Sequence, residues 1–77
     1  MTRREIEVLL IRANAMLFQR GEVLADFEAG VIEEAHRRVV WQRGALPTQA
    51  ELQVVEDALA AMLSAPRQDL TNMGLAA

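Results

Sequence analysis

The first stretch of the chain has two hydrophobic faces rather than one. On a helical wheel at about 100° per residue, most aliphatic side chains of residues 3–20 fall on one broad arc: Ile6, Leu9, Leu10, Ala13, Met16 and Leu17. A nearly opposite arc holds Val8, Ile11, Ala15 and Phe18. A helix that is apolar on two faces needs cover on both. We therefore expect the first arc to face the core of this chain and the second to face another molecule.

The first and third predicted helices begin with the same signal. A threonine followed three residues later by a glutamate is a capping box, and it occurs at Thr2 with Glu5 and at Thr48 with Glu51. The first helix is predicted over residues 3–20. The third helix is predicted to run from the capping box at Thr48 to a stop at Pro66. The main apolar stripe of the third helix contains Leu52, Val55, Leu59, Met62 and Leu63.

A second helix is predicted from Asp26 to Arg43, with Asp26 as its N-cap. Its core-facing arc contains Phe27, Val31, Ile32, Ala35 and Val39. Gly21 and Gly44 follow the first and second helices, where glycine commonly adopts the left-handed conformation that ends a helix. Gly30 interrupts the second helix, and we expect a neighbouring helix to approach closely there.

The fold class predicted from these elements is all-α, a small three-helix unit that pairs into a helical-bundle homodimer. Residues 1–65 form the helical domain, and residues 66–77 form a C-terminal tail that we expect to be mobile. The chain has 77 residues and no cysteine. A domain of this size buries only roughly 60% of its unfolded surface, and self-association is a common way to reinforce such a core.

Composition and charge narrow the functional classes. Hydrophobic residues make up 52% of the chain and aromatic residues only 4%, which is typical of a helical bundle rather than a sheet. The net charge is −3, so we do not expect a dedicated nucleic-acid binder. The longest apolar run near the N-terminus is Val8–Ile11, too short for a signal peptide or a membrane span. We expect a cytoplasmic protein without a membrane segment.

The titratable residues do not form a catalytic pattern. His36 is the only histidine and Ser64 the only serine, and a general base needs a nucleophile or carboxylate within reach. Adjacent carboxylates such as Glu33 and Glu34 point about 100° apart on a helix and do not converge. The sequence therefore predicts that the protein is not an enzyme and binds no metal or cofactor.

Glu28 leaves two interpretations open. It falls inside the apolar arc of the second helix, where a buried carboxylate would need an arginine partner such as Arg12 or Arg20. It also lies in the first turn of that helix, where a solvent-exposed carboxylate interacts favourably with the helix dipole.

Aromatic and arginine residues are the candidates for a contact surface. Trp41 lies at the edge of the apolar arc of the second helix, one turn from Arg37, and tryptophan with arginine is typical of binding hot spots. The predicted protein interface consists of Val8, Ile11, Ala15, Phe18, Arg37 and Trp41. We expect the first four to form the seam of a homodimer. The alternative, that Phe18 and Trp41 both cover the third helix inside an ordinary three-helix bundle, stays open.

These observations favour a non-enzymatic protein–protein interaction module, which is a small regulator, inhibitor or adaptor that docks on a larger, unidentified protein. In size and helical composition alone, the chain resembles many small proteins encoded by phages or other mobile elements. One alternative is a nucleic-acid-binding regulator that uses Arg37, Arg38 and Arg43, although acidic residues on the third helix oppose it. Another is a structural or chaperone subunit of a larger assembly.

Overall fold

Three α-helices follow one another along the chain in the computed structural model, which describes residues 1–64. Helix α1 spans Arg3–Arg20, α2 spans Asp26–His36 and α3 spans Gln49–Ser64. A short 3-10 turn, Gly21–Val23, follows α1, and a π-helical segment, Arg37–Trp41, continues α2. The described residues contain no strand, and the predicted all-α, three-helix fold is confirmed. The predicted tail, residues 66–77, lies outside the described residues.

Both predicted capping boxes are present. The Thr2 hydroxyl accepts a hydrogen bond from the Glu5 N–H (3.2 Å), and the Glu5 carboxylate accepts one from the Thr2 N–H (2.8 Å). Thr48 and Glu51 repeat this exchange at 3.1 Å and 2.8 Å. The bond from the Thr2 backbone holds the pKa of Glu5 below its ordinary value. The equivalent bond from Thr48 lowers the pKa of Glu51, and the nearby Arg38 adds to this effect.

The start of α2 differs from the prediction and decides the role of Glu28. The N-cap is Ala25, and Asp26 is the first helical residue. The Glu28 carboxylate accepts a hydrogen bond from the Ala25 N–H at 2.8 Å, and its side chain is only partly buried. Glu28 therefore satisfies a free backbone donor at the helix start, as the second interpretation requires.

The end of α2 is a wider helical turn, not the predicted regular helix to Arg43. The Gln42 N–H donates to the Arg37 carbonyl at 2.9 Å, and the Gly44 N–H donates to the Arg38 carbonyl at 2.7 Å. Arg43, not Gly44, takes the left-handed conformation, with φ 53°. Gly21 does not take it either, since its φ is −62° and the chain continues into the 3-10 turn. The prediction of left-handed glycines was therefore wrong at both positions.

Aliphatic side chains from all three helices form the core. The predicted core arc of α1 is buried or half-buried. The buried members of the core are Ile6, Leu10, Ala13, Ile32, Ala35, Val39, Val55, Ala58, Leu59 and Met62. Two predicted core residues, Phe27 and Leu63, are instead exposed. The expected close approach at Gly30 was also wrong, because a Cβ atom there would meet open space.

Arginine side chains fix how the helices run relative to one another. The Arg3 guanidinium donates to the carbonyls of Val39 and Gly44, each at 3.3 Å, so the start of α1 lies beside the end of the π segment. The Arg20 guanidinium donates to the Met62 carbonyl at 2.8 Å, so the end of α1 lies beside the end of α3. Helix α1 is therefore antiparallel to α2 and parallel to α3.

Candidate protein-contact surface

The second apolar arc of α1 lies on the outside of the bundle. We call it the outer stripe; its members Val8, Ile11, Ala15 and Phe18 are all exposed. The opposite face of the same helix carries buried Ile6, Leu10 and Ala13. Because α2 and α3 both pack against that buried face, neither covers the outer stripe. The described part of the chain leaves this second face in contact with solvent.

All three aromatic residues of the protein lie outside the core. Phe18 is 87% exposed, Trp41 77% and Phe27 64%. The buried side chains are entirely aliphatic, with one methionine. Aromatic rings carry the largest apolar area of any side chain and dominate interface energetics. A core built without them leaves the chain's most hydrophobic rings available to other molecules.

Phe27 is the exposed aromatic residue that sequence reasoning missed, because the helical wheel placed it on the core-facing arc. It is the second residue of α2, in a first turn that the neighbouring helices do not cover. The same signal was recognised for Glu28, the next residue, where position in the first turn favoured exposure. Applied to Phe27, that signal would have predicted an exposed ring.

The structure does not bring all the predicted interface residues together. Trp41 ends the π segment that Arg3 contacts, so it lies at the end of the bundle where α1 begins. Phe18 lies about 22 Å further along α1, at 1.5 Å per residue. Exposed Val23 and Phe27 follow Phe18 closely through the α1–α2 connection. Trp41 therefore lies towards one end of the bundle, and Phe18 and Phe27 lie towards the other. The described residues expose three further large apolar side chains elsewhere: Met1, Leu46 and Leu63.

The three arginines of the nucleic-acid-binding alternative, Arg37, Arg38 and Arg43, are not equally available to bind a phosphate. Arg37 and Arg43 are exposed. Arg38 forms ion pairs with the carboxylates of Glu34 and Glu51 and donates to the Ala45 carbonyl at 3.0 Å. Its guanidinium therefore holds the α2–α3 connection against α3. This engagement with two carboxylates leaves less of its charge for a phosphate backbone.

No group of three histidine, aspartate or glutamate side chains in residues 1–64 is placed to hold a metal ion. No described helix combines the length and apolar character that a membrane crossing needs. His36 is half-buried at the end of α2.

Comparison with known proteins found no matching family model, no matching curated protein and no matching solved structure.

Proposed function

We propose that this protein is a non-enzymatic interaction module that acts by docking on a larger protein as a small regulator, inhibitor or adaptor. The observation that carries the proposal is the exposure of Phe18, Phe27 and Trp41 beside a wholly aliphatic core. Hydrating these rings is unfavourable, and burying a phenylalanine side chain contributes about 1.5–3 kcal/mol. A partner that covers them gains this free energy without any rearrangement of the core.

Trp41 and Arg37 give the exposed surface at the end of α2 the composition of a binding hot spot. Tryptophan and arginine are enriched among residues whose truncation weakens binding most. Both side chains are exposed at the end of the bundle where α1 begins. The π segment that carries them is a form of helix often found at functional sites. We therefore place the contact with the larger protein at Trp41 and Arg37, together with the outer stripe.

The experiment compares capture from the host cell by the full chain and by two pairs of variants. Trp41→Ser and Phe18→Ser remove exposed rings, whereas Gln42→Ser and Gln19→Ser change exposed polar neighbours as matched controls. Circular dichroism first shows that all four variants keep the helical fold. We expect a protein that is retained by the polar-neighbour variants and lost from the Trp41 variant, the Phe18 variant or both. A set of captured proteins identical for all variants contradicts the proposal.

A captured protein is then purified and titrated against the chain. Truncation of a hot-spot ring raises a dissociation constant by roughly thirtyfold or more, which corresponds to about 2 kcal/mol. The control variants are expected to bind within about twofold of the wild type.

A further inference from the structure

We propose that the larger protein presents an acidic segment, whose carboxylates pair with Arg37 and Arg43 while one of its apolar side chains covers Trp41. The inference rests on the proposed function, because it takes Trp41 and Arg37 to be contact residues, and it names the chemistry of the partner. Three observations carry it: unpaired arginines beside Trp41, internal partners for the nearby glutamates, and an uneven distribution of charge along the bundle.

The arginines beside Trp41 form no ion pair with any described residue. Arg37 and Trp41 begin and end the π segment, and the bond from the Gln42 N–H to the Arg37 carbonyl closes the turn between them. Arg43 follows Trp41 by two residues. All three side chains are exposed. Within residues 1–64, neither guanidinium has a partner for its N–H donors.

The carboxylates nearest to Arg37 in sequence do not neutralise it. Glu33 and Glu34 stand four and three residues before Arg37, spacings at which helical ion pairs form. Glu34 instead pairs with Arg38. Within the described part of the chain, Glu33 pairs with neither arginine. The charge of Arg37 is therefore available to a carboxylate of another molecule.

Positive charge is concentrated at the end of the bundle that carries Trp41. We call residues 1–7 and 37–51 the basic end, because the bond from Arg3 to the Val39 carbonyl and the ion pair of Arg38 with Glu51 hold them together. The basic end has five arginines and three glutamates, whereas the other described residues have two arginines and seven carboxylates. An acidic segment is attracted to the basic end and repelled by the rest of the bundle.

The glutamates of the basic end already have partners within the chain. They accept hydrogen bonds from the capping N–H groups or pair with Arg3 and Arg38. Arg3 and Arg38 also donate to backbone carbonyls. The other arginines of this end are exposed and form no ion pair with a described residue: Arg4, Arg37 and Arg43. Three cations therefore remain for a partner at the end of the bundle that exposes Trp41.

A short acidic protein segment fits this surface better than a nucleic acid does. Arginine binds a carboxylate through two parallel hydrogen bonds, and the Trp41 ring offers apolar area for a partner side chain to cover. A DNA duplex carries one negative charge about every 1.7 Å along its axis. Most of its phosphates would therefore lie beyond the three arginines, in the field of the carboxylates on the rest of the bundle.

The test uses the fluorescence of Trp41, which is the only tryptophan of the chain and is exposed. The full chain is titrated with a short synthetic peptide of aspartate, glutamate and leucine, which has no fluorescence of its own. We expect a saturable shift of the emission to shorter wavelength, as the ring leaves water, with a dissociation constant below about 1 mM. A matched peptide with asparagine and glutamine in place of the acids is expected to bind at least about tenfold more weakly.

Charge reversal locates the binding. Arg37→Glu and Arg43→Glu are each expected to raise the dissociation constant of the acidic peptide about five- to tenfold. Arg12→Glu is the matched control, because Arg12 is an exposed arginine of α1 outside the basic end, and the change in net charge is the same. The control is expected to bind within about threefold of the wild type, since salt screens distant charges. Circular dichroism shows that each variant keeps the helical fold.

Four results overturn the inference. The acidic peptide gives no saturable shift up to about 1 mM, or the neutral peptide binds equally well. Arg12→Glu weakens binding as much as Arg37→Glu and Arg43→Glu do. A single-stranded oligonucleotide of the same charge binds more tightly than the peptide, which assigns the surface to a nucleic acid.

These outcomes are separate from those of the capture experiment. Capture compares variants at Trp41 and Phe18 that keep every arginine, so a protein lost from the Trp41 variant supports docking even when the acidic peptide does not bind. Conversely, peptide binding that depends on Arg37 and Arg43 identifies an acidic ligand even when capture finds no protein that depends on Trp41.

Discussion

The substitution Gly30→Ala is expected to stabilise the protein by about 1 kcal/mol. Gly30 lies inside α2, is exposed, and a Cβ atom built on it meets no other atom within 4 Å. The added methyl group therefore costs nothing in packing. It restricts the unfolded chain and favours the helix, and for a domain of this size the gain raises the melting temperature by roughly 4–8 °C.

Gly44→Ala is the matched control, because the same chemical change has the opposite expected sign there. A Cβ atom at Gly44 would lie 3.2 Å from the Arg38 carbonyl oxygen and 3.1 Å from its Cγ. This contact is tight because the Gly44 N–H donates to that same carbonyl at 2.7 Å. We expect a loss of about 1–3 kcal/mol as the loop shifts away.

Urea denaturation followed by circular dichroism measures both variants. The midpoint is expected to rise for Gly30→Ala and to fall for Gly44→Ala, with the slope unchanged in each case. A loss of stability in the Gly30 variant would refute the reasoning. It would mean that a neighbouring helix covers Gly30, as a glycine inside a helix had suggested.

Three further substitutions test the core, the arginine contacts and the caps. Leu10→Ala is expected to cost about 2–5 kcal/mol in urea denaturation, because Leu10 is fully buried. Arg38→Met is expected to cost roughly 1–2 kcal/mol and Arg37→Met less than about 0.5, since only Arg38 joins Glu34, Glu51 and the Ala45 carbonyl. The folded-state pKa of Glu51 is lowered, so its contribution is complete at neutral pH and declines as the pH falls below the usual glutamate value of about 4.3. Glu51→Gln should flatten the acid side of the curve of stability against pH.

Local signals in the sequence were sufficient for the helices and most of the core. The capping boxes at Thr2 and Thr48 were predicted because threonine and glutamate at that spacing satisfy each other's backbone donors. The core arc of α1 followed from its period, because a residue's place on the wheel sets its direction. The outer stripe was predicted to lie off the core by the same rule, and its members are exposed.

The features that were missed depend on contacts between distant parts of the chain. The π segment shifts the hydrogen-bond pattern by one residue, and hydrophobic periodicity does not register such a shift. Arg43 adopts the left-handed conformation ahead of Gly44 because the Gly44 N–H bonds to the Arg38 carbonyl. The roles of Arg3 and Arg20 depend on carbonyl groups roughly 40 residues away along the chain. No local pattern identifies these partners.

The most direct test of the central claim is the free energy of unfolding of Phe18→Ser, measured at low and at high protein concentration. If the Phe18 ring contacts other molecules rather than its own chain, the variant matches the wild type within about 0.5 kcal/mol in dilute solution. At high concentration the free energy of unfolding of the wild type is expected to rise as it forms the predicted homodimer, and that of the variant is not. A loss of more than about 1.5 kcal/mol at every concentration, the value of a buried phenylalanine, would place the ring inside its own fold and contradict the account.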